Sequence, residues 1–303
     1  MRLSPSPQEP LVPEPTCHIP VLLAEIVEWL RPAPGMTLVD GTLGGGGHTL
    51  ALAQRVAPGG CVLAVDLDDD ALQRVQPRVG DLPITLAQGN FAELPEILAT
   101  ANVAAVDGIL LDLGLSSDQL ADDQRGFSFQ GTGELDLRFD QSRGQPAWQL
   151  LARWDERSLA DLIYQFGEER FSRRIARRIV EARRTAPLRT SEELADLVRS
   201  CVPRSRGHHI DPATRTFQAL RIAVNEELAS LEQALARLPD CLAPGGRLAI
   251  ISFHSLEDRL VKHAFRTDER LTVLTKRPVR PSAEESFANP RARSAKLRVA
   301  EKK

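Results

Sequence analysis

The stretch Leu38–Val56, LVDGTLGGGGHTLALAQRV, places four consecutive glycines between a short apolar run and an amphipathic one. An apolar run that ends in aspartate is typical of a buried strand, and the helical spacing of apolar residues after the glycines predicts a helix. Residues without side chains at such a junction allow another group to approach the backbone closely. The stretch therefore predicts a strand, a ligand-binding loop and a helix.

The same alternation continues on both sides of this unit. A helix over residues 20–30 precedes it, and further short apolar strands follow, each separated by about ten residues of helical pattern. Such spacing is typical of a parallel sheet with right-handed crossovers. The predicted strands are 36–40, 61–66, 83–90 and 106–112, and the predicted helices between them are 48–56, 69–79 and 93–100.

The alternation stops after the fourth strand. From about residue 113 to residue 214 every periodic segment has the helical period, which predicts an inserted all-α domain over 114–213. Alternation then resumes, so that 18–113 and 214–303 form one α/β domain. The elements predicted there are helix 214–238, strand 246–252, helix 255–265, strand 271–276 and a closing strand within 294–300.

Composition is that of a globular protein of 303 residues, with 42% hydrophobic and 26% charged side chains. Residues 1–17 are rich in proline and lack the apolar core of a signal peptide, which predicts a disordered tail. No apolar run is long enough to span a membrane. The four cysteines lie far apart without a CxxC pair, which favours reduced thiols in a cytoplasmic protein and no metal site.

Charge is distributed unevenly along the chain. Residues 1–165 carry 10 basic and 23 acidic side chains, a balance of −13, whereas residues 166–265 and 266–303 have balances of +4 and +6. Only five of the 38 basic residues are lysines. Because arginine binds phosphate bidentately and stacks on bases, the second half of the chain permits a nucleic-acid partner. Arginine enrichment that follows base composition explains the bias equally well.

Three kinds of cofactor bind a glycine loop after a first strand. A P-loop requires a lysine after its glycines, where this chain has His48, and a dinucleotide fingerprint fits the glycine spacing poorly. S-adenosylmethionine has no phosphate, and its amino-acid end can lie where a β-carbon on Gly44–Gly47 would collide. Asp66, which ends the second strand, can accept both ribose hydroxyls, although NAD enzymes share that feature.

Several longer motifs resemble the MraW family, the ribosomal RNA small subunit methyltransferases H. The resemblance extends from about His18 to Val299, and all of the matched positions hold the expected residue types. The motifs are HIPVLLAE, VDGTLGGGGHT, GILLDLGLSSDQL, QRGFSFQGTGELDLRFD, GEERFSRRIARRIV, RTFQALRIAVNEEL and ISFHSLEDRLVKHAF. The resemblance implies a Rossmann-like class I methyltransferase sheet, mostly parallel with an antiparallel last strand, and S-adenosylmethionine as methyl donor.

It also implies which residues bind the cofactor and which group is methylated. The cofactor set is Gly46, Gly47, His48, Asp66, Phe91, Asp112 and Gln119. The implied acceptor is the exocyclic 4-amino group of a cytidine in the decoding region of 16S rRNA, within the small ribosomal subunit. The insertion, which contains the arginine-rich stretch RFSRRIARRIVEARR (170–184), is the expected RNA-recognition domain, and both a monomer and a homodimer are compatible with the sequence.

The amino nitrogen of cytosine is a weak nucleophile, so an acceptor for its hydrogen is expected in the site. Asp112 closes a buried strand at the ligand-binding edge and is the predicted catalytic acceptor. Residues predicted to contact the substrate are Arg215, Asn225, Ser252 and His254. A non-catalytic RNA-binding or ribosome-assembly factor on the same fold is the main alternative, and an NAD-dependent oxidoreductase is the third.

Overall fold

The computed structural model describes residues 19–129, 131–203 and 211–303, so the predicted tail, residues 1–17, lies outside the described residues. Over these ranges seven strands form one sheet in the order β3-β2-β1-β4-β5-β7-β6. The strands are β1 (Thr37–Asp40), β2 (Cys61–Asp66), β3 (Ile84–Gln88), β4 (Val106–Asp112), β5 (Leu242–Ser252), β6 (Leu271–Val273) and β7 (Lys296–Lys302).

The strand directions confirm the predicted fold class. β1 pairs in parallel with β2 and β4, β2 pairs with β3, and β4 pairs with β5. β7 runs antiparallel to its neighbours β5 and β6. The chain leaves β1 toward one edge of the sheet and leaves β4 toward the other. Ligands of open α/β sheets bind at the carboxyl edge where the strand order reverses in this way.

Helices cover both faces of the sheet and form a separate layer. None of the described helices combines the length and the apolar character needed to cross a membrane. Cys61, Cys201 and Cys241 are free thiols. The helices are α1 (Leu23–Leu30), α2 (Gly47–Val56), α3 (Asp69–Val79), α4 (Leu94–Thr100), α5 (Ser117–Ala121), α6 (Ala147–Arg153), α7 (Glu156–Gly167), α8 (Ser172–Ala182), α9 (Ser191–Cys201), α10 (Thr214–Asn225), α11 (Glu227–Cys241), α12 (Ser255–Thr267) and α13 (Ala283–Ala288).

The central strands are buried on both faces, which explains their largely apolar sequences. Ile109 and Leu111 of β4 join a core with α11 and α12, whereas Leu110 points to the opposite face and joins a core with α1 and α2. Burying each of these side chains contributes about 1.5–3 kcal/mol. The two cores hold the carboxyl ends of β1, β2 and β4 in fixed positions at one edge of the sheet.

A further core, separate from the two cores on the sheet, lies among the helices from the middle of the chain. Its members include Ile163 of α7, Ile175 and Ile179 of α8, and Val198 of α9. Phe217, Ala219 and Leu220 of α10 belong to the same core, so α10 lies in this helical layer. The assignment of residues 114–213 to one inserted domain stays a prediction.

The predicted helix over 214–238 is wrong in one respect, because it is two helices. Glu226 adopts a left-handed backbone with φ 52°, which separates α10 from α11. The Asn225 amide explains the break, since it donates to the Arg221 and Leu137 carbonyls and thereby competes with the helical hydrogen bonds.

Candidate active site

A cleft opens at the carboxyl edge of the sheet, at the point where the strand order reverses. One wall consists of the segments that follow β1, β2, β3 and β4. The opposite wall comes from the α10–α11 junction and from an irregular segment of the helical layer that carries Phe139. The cleft therefore lies between the sheet and the helical layer, where both can contact a ligand.

Asp66 is the acidic group at the end of β2 and lines the cleft. Its two carboxylate oxygens accept hydrogen bonds from the Gly44 amide at 2.7 Å and the Asp68 amide at 2.9 Å. Burial raises the pKa of Asp66 to about 6, although these amides oppose the shift. A carboxylate has about four acceptor positions, so positions remain for two ribose hydroxyls.

The glycine loop is shaped more by its neighbours in the fold than sequence reasoning indicated. Gly44 lines the cleft and has φ +50°. A β-carbon on Gly46 would lie 2.9 Å from Val75 of α3, and Gly46 does not line the cleft. A β-carbon on Gly47 would lie 3.0 Å from the Pro20 ring. Gly46 and Gly47 therefore lack side chains because α3 and the segment before α1 pack closely there.

Gly46→Ala is expected to lower the free energy of unfolding by about 1–3 kcal/mol, because φ at Gly46 is +75° and Val75 blocks the new methyl group. Urea denaturation measures the change. Gly144→Ala is the matched control, because Gly144 has φ +68° and open space around it, so it reports backbone strain alone. In a protein that already carries Val75→Ala, the same change at Gly46 should cost only the part caused by backbone strain, because the clash is absent there. Unchanged stability with tenfold weaker cofactor binding would instead place the cofactor against Gly46.

Asp112 and His48 form a buried pair beside the loop. The His48 Nε2–H donates to the Val21 carbonyl at 3.0 Å, so Nδ1 faces the Asp112 carboxylate at 3.6 Å. Asp112 Oδ1 is buried and has no hydrogen-bond partner among the described residues. Burial raises the pKa of Asp112 to about 6, and the nearby His48 opposes this. A buried acceptor without a partner is unfavourable and is suited to a donor supplied by a ligand.

Phe91 and Gln119, the other predicted cofactor residues, also line the cleft. Phe91 begins a short 3₁₀ helix, Phe91–Glu93, and packs partly on the sheet core. Gln119 donates to Asp68 at 3.0 Å and accepts from the Ser116 amide at 3.0 Å. Gln119 thus connects the loop after β4 to the start of α3, which fixes the shape of the cleft.

Of the four predicted substrate residues, the structure brings only Asn225 into the cleft lining. Its amide oxygen accepts from the Phe139 amide at 2.7 Å, and its nitrogen donates to two backbone carbonyls. Arg215 is exposed and lies 4.0 Å from Glu169. Ser252 is 1% exposed and donates to the Lys296 carbonyl at 3.4 Å.

His254 caps α12 and lies behind the cleft wall. Its Nδ1 accepts from the Glu257 amide at 3.3 Å, and its Nε2 lies 3.1 Å from the Glu257 carboxylate. Glu257 lines the cleft, together with Glu227, which Arg221 holds through two hydrogen bonds of 2.7 and 2.9 Å. Burial alone would raise the pKa of Glu257, but His254 and Arg221 hold it below its usual value.

The ligand atoms of Glu227, His254 and Glu257 lie within 4.8 Å of one another, as in some metal sites. A metal-binding histidine normally donates its second ring hydrogen to an acceptor. Here Nδ1 of His254 already accepts a hydrogen, so the neutral ring keeps its hydrogen on Nε2 and has no lone pair left for a metal. Arg221 also donates a hydrogen bond to each carboxylate oxygen of Glu227, so neither oxygen is without a partner. The arrangement favours a closed ion network that stiffens the cleft wall.

Sequence reasoning missed several residues of this cleft. Asn90 lies two residues after the end of β3 and donates to Ser230 of α11 at 3.1 Å. Its position after a strand, at the ligand-binding edge of the sheet, is a sequence signal that predicts a residue of the cleft. Glu227, Ser230 and Phe139 gave no such signal, because their place in the cleft depends on how the helical layer folds against the sheet.

Comparison with known proteins agrees with this geometry. The model of the MraW methylase family matches residues 15–303. A protein of Rhodopirellula baltica is 52% identical over 298 residues, which cover 95% of this chain and 92% of that protein. A protein of Deinococcus radiodurans is 52% identical over 303 residues, with 99% and 95% coverage. Both relatives bear the name ribosomal RNA small subunit methyltransferase H.

S-adenosylmethionine is the methyl donor of such an enzyme, and the cleft has the features that it needs. Asp66 offers free acceptor positions, and Phe91 presents a ring between the sheet core and the cleft. By fold, by cleft and by sequence along nearly its whole length, the chain belongs to the MraW methylase family.

Proposed function

We propose that this protein transfers a methyl group to the exocyclic 4-amino group of a cytidine in 16S rRNA of the small ribosomal subunit. The observation that carries the proposal is the unpaired buried oxygen of Asp112, an acceptor beside the cofactor loop. An amino group is a donor that such an acceptor suits. The names of the curated relatives support small-subunit rRNA as the substrate. A cytoplasmic location goes with that substrate.

The cofactor fits the cleft from β2 to β4. Asp66 would hold the ribose hydroxyls, and Phe91 would lie along the adenosine. Neighbouring strands are about 4.8 Å apart, so the two carboxylates, on strands that flank β1, are separated by roughly 10 Å across the edge of the sheet. His48, Gln119 and the Gly44 backbone complete the site.

When bound, S-adenosylmethionine would supply an electrophilic methyl group, whose bond to sulfur breaks in the transfer and leaves S-adenosylhomocysteine. The protein then has to align the amino nitrogen and receive its proton. Asp112 accepts the amino hydrogen at Oδ1, which leaves more electron density on nitrogen as the new nitrogen–carbon bond forms. The Val21 carbonyl fixes the His48 ring, whose Nδ1 lies 3.6 Å from the other oxygen of Asp112. The proton released from nitrogen passes to the carboxylate.

The helical layer is the proposed RNA-binding part. Arg173, Arg174, Arg177 and Arg178 of α8 are all exposed, whereas Ile175 and Ile179 face the helical core. Arg177 lies 3.6 Å from Glu156, and Arg178 pairs with Glu181 at 2.9 Å. These are surface ion pairs, which contribute little to stability, so their arginines can exchange them for phosphates.

Changing these four arginines together to glutamine should weaken binding to small subunits and flatten its dependence on salt. Each lost phosphate contact reduces the slope of log K against log salt by about 0.7–0.9. Cofactor affinity and the unfolding midpoint should stay unchanged, because the arginines lie outside the cleft and the core. Filter binding over a range of salt concentrations measures the slope.

The comparison variant changes Lys262, Arg266, Lys276 and Arg277 to glutamine. These exposed residues, on α12 and in the segment after β6, make no ion pair with any described residue. If this variant flattens the salt dependence and the α8 variant keeps the original slope, RNA is bound by the C-terminal half and not by α8.

The rival function is a non-catalytic RNA-binding or assembly factor on the same fold. Titration calorimetry with S-adenosylmethionine, S-adenosylhomocysteine and NAD, followed by transfer of labelled methyl to small subunits, separates the possibilities. The proposal expects binding of the first two ligands, no binding of NAD, and incorporation of label into 16S rRNA. Binding of subunits without any incorporation would support the assembly factor.

A further inference from the structure

We infer that Phe139 is the platform on which the target base stacks after it leaves the RNA, an inference that rests on the proposed function. Phe139 lines the cleft on the wall opposite the sheet, near the α10–α11 junction. A base must be turned out of its stack to reach a buried methyl group. Single-stranded RNA bases are commonly held by stacking on aromatic side chains.

The backbone around Phe139 has no regular secondary structure, but the side chains of Asn225 and Arg125 hydrogen-bond to it. Asn225 accepts from the Phe139 amide at 2.7 Å and donates to the Leu137 carbonyl at 2.7 Å. Arg125, which is 3% exposed, donates to the carbonyls of Phe139 at 2.7 Å and Arg138 at 3.1 Å. Leu137 between these anchors has a strained φ of 64°. Four hydrogen bonds thus stabilise one strained conformation of this segment.

Arg125 also connects the platform to the cofactor side of the cleft. Its guanidinium binds Asp68 at 3.1 Å, and Asp68 receives the Gln119 amide at 3.0 Å. Both side chains of the Arg125–Asp68 pair are 3% exposed. The wall that carries Phe139 and the loop that binds the cofactor are therefore held by one buried network, which keeps the distance between them constant.

The ring itself is supported from behind. Phe139 stacks on Phe127, with ring centroids 5.9 Å apart and an angle of 29° between the planes. Phe127 is 4% exposed and belongs to the helical core. A rigid, supported ring at a cleft wall loses little conformational freedom when a base stacks on it. Phe129 in the same core packs edge-on against Phe217 and does not line the cleft.

The test compares Phe139→Leu and Phe139→Tyr with Phe129→Leu as the matched control. Stacking on an aromatic ring is worth enough that its loss should weaken capture about 5- to 100-fold. Phe139→Leu should therefore raise KM for small subunits by at least fivefold and weaken the binding of subunits to the protein loaded with S-adenosylhomocysteine. Phe139→Tyr keeps the ring and should stay within threefold of wild type. Phe129→Leu should transfer methyl groups normally.

Two further readouts separate the possible explanations. Affinity for S-adenosylhomocysteine alone should be the same in all three variants. If Phe139→Leu loses that affinity, the ring contacts the cofactor and the inference is overturned. Equal KM and equal subunit affinity in Phe139→Leu and wild type would also overturn it. If the wild type binds subunits in a manner that depends on Phe139 but does not methylate them, the base platform stands and the proposed function fails.

Discussion

Asp112→Asn is expected to reduce kcat for methyl transfer by at least about 100-fold, the lower end of what a general base contributes. The amide matches the carboxylate in shape but cannot take up the proton that the amino nitrogen releases. The affinity for S-adenosylhomocysteine should change much less than kcat. Single-turnover transfer to small subunits, with cofactor affinity measured by calorimetry, gives both quantities.

Asp81→Asn makes the same chemical change at an exposed turn and serves as the control. Two results would contradict the acceptor role of Asp112. One is transfer by Asp112→Asn within threefold of wild type. The other is a loss of cofactor affinity as large as the loss of rate, which would make Asp112 a cofactor ligand only.

The same substitution should make the ligand-free protein more stable at neutral pH. Burial raises the pKa of Asp112 from 3.8 to about 6 in the folded state, so the folded protein holds this proton more tightly than the unfolded chain. The ionised form therefore destabilises the fold progressively between pH 4 and pH 6, by about 3 kcal/mol at most. The stability difference between Asp112→Asn and wild type should grow across that window and stay constant above it.

Asp66→Asn is expected to weaken the binding of S-adenosylmethionine by at least about 100-fold. The amide replaces one acceptor oxygen by an NH2 donor and removes the charge, so one of the two hydrogen bonds from the ribose hydroxyls, worth about 1.5–3 kcal/mol, is lost and the other is weakened. The binding of S-adenosylhomocysteine should weaken by the same factor, because its ribose is identical. Calorimetry with both ligands measures the ratio.

The substitution to asparagine is preferable to alanine at this position. The Gly44 and Asp68 amides donate to different oxygens of Asp66, so asparagine keeps an acceptor for one of them whereas alanine would lose both. Asp69→Asn, at the exposed start of α3, is the control for the loss of one charge. If only S-adenosylmethionine bound more weakly, Asp66 would have to sense the sulfonium charge, and its placement at the ribose would be refuted.

The sheet could be predicted from the sequence because its strands carry unambiguous local signals. The stretches GILLD and CVLAVD are buried on both faces, so each is apolar up to the acid that ends it at the ligand-binding edge. Such a position follows from strand direction alone. The sequence therefore predicts Asp66 and Asp112 at the ligand-binding edge without knowledge of any contact between elements, and both line the cleft.

The opposite wall could not be predicted in this way, because it depends on contacts between distant segments. Phe139 comes to the cleft through Asn225, 86 residues away, and through Arg125. Asn225 is predicted from the sequence to contact the substrate, but its side-chain amide hydrogen-bonds to the protein backbone instead. The reason why position 46 needs glycine could not be predicted either, because the neighbour that excludes a side chain is Val75 of α3.

Nucleoside analysis of 16S rRNA tests the central claim most directly. Small subunits that lack the modification are incubated with the protein and methyl-labelled S-adenosylmethionine, and the rRNA is digested and separated by liquid chromatography with mass detection. We expect the label in cytidine methylated on its 4-amino nitrogen with the wild type, and almost none with Asp112→Asn. Label on a ring carbon or on another nucleoside, or no label with a protein that binds the cofactor, would contradict the proposed function.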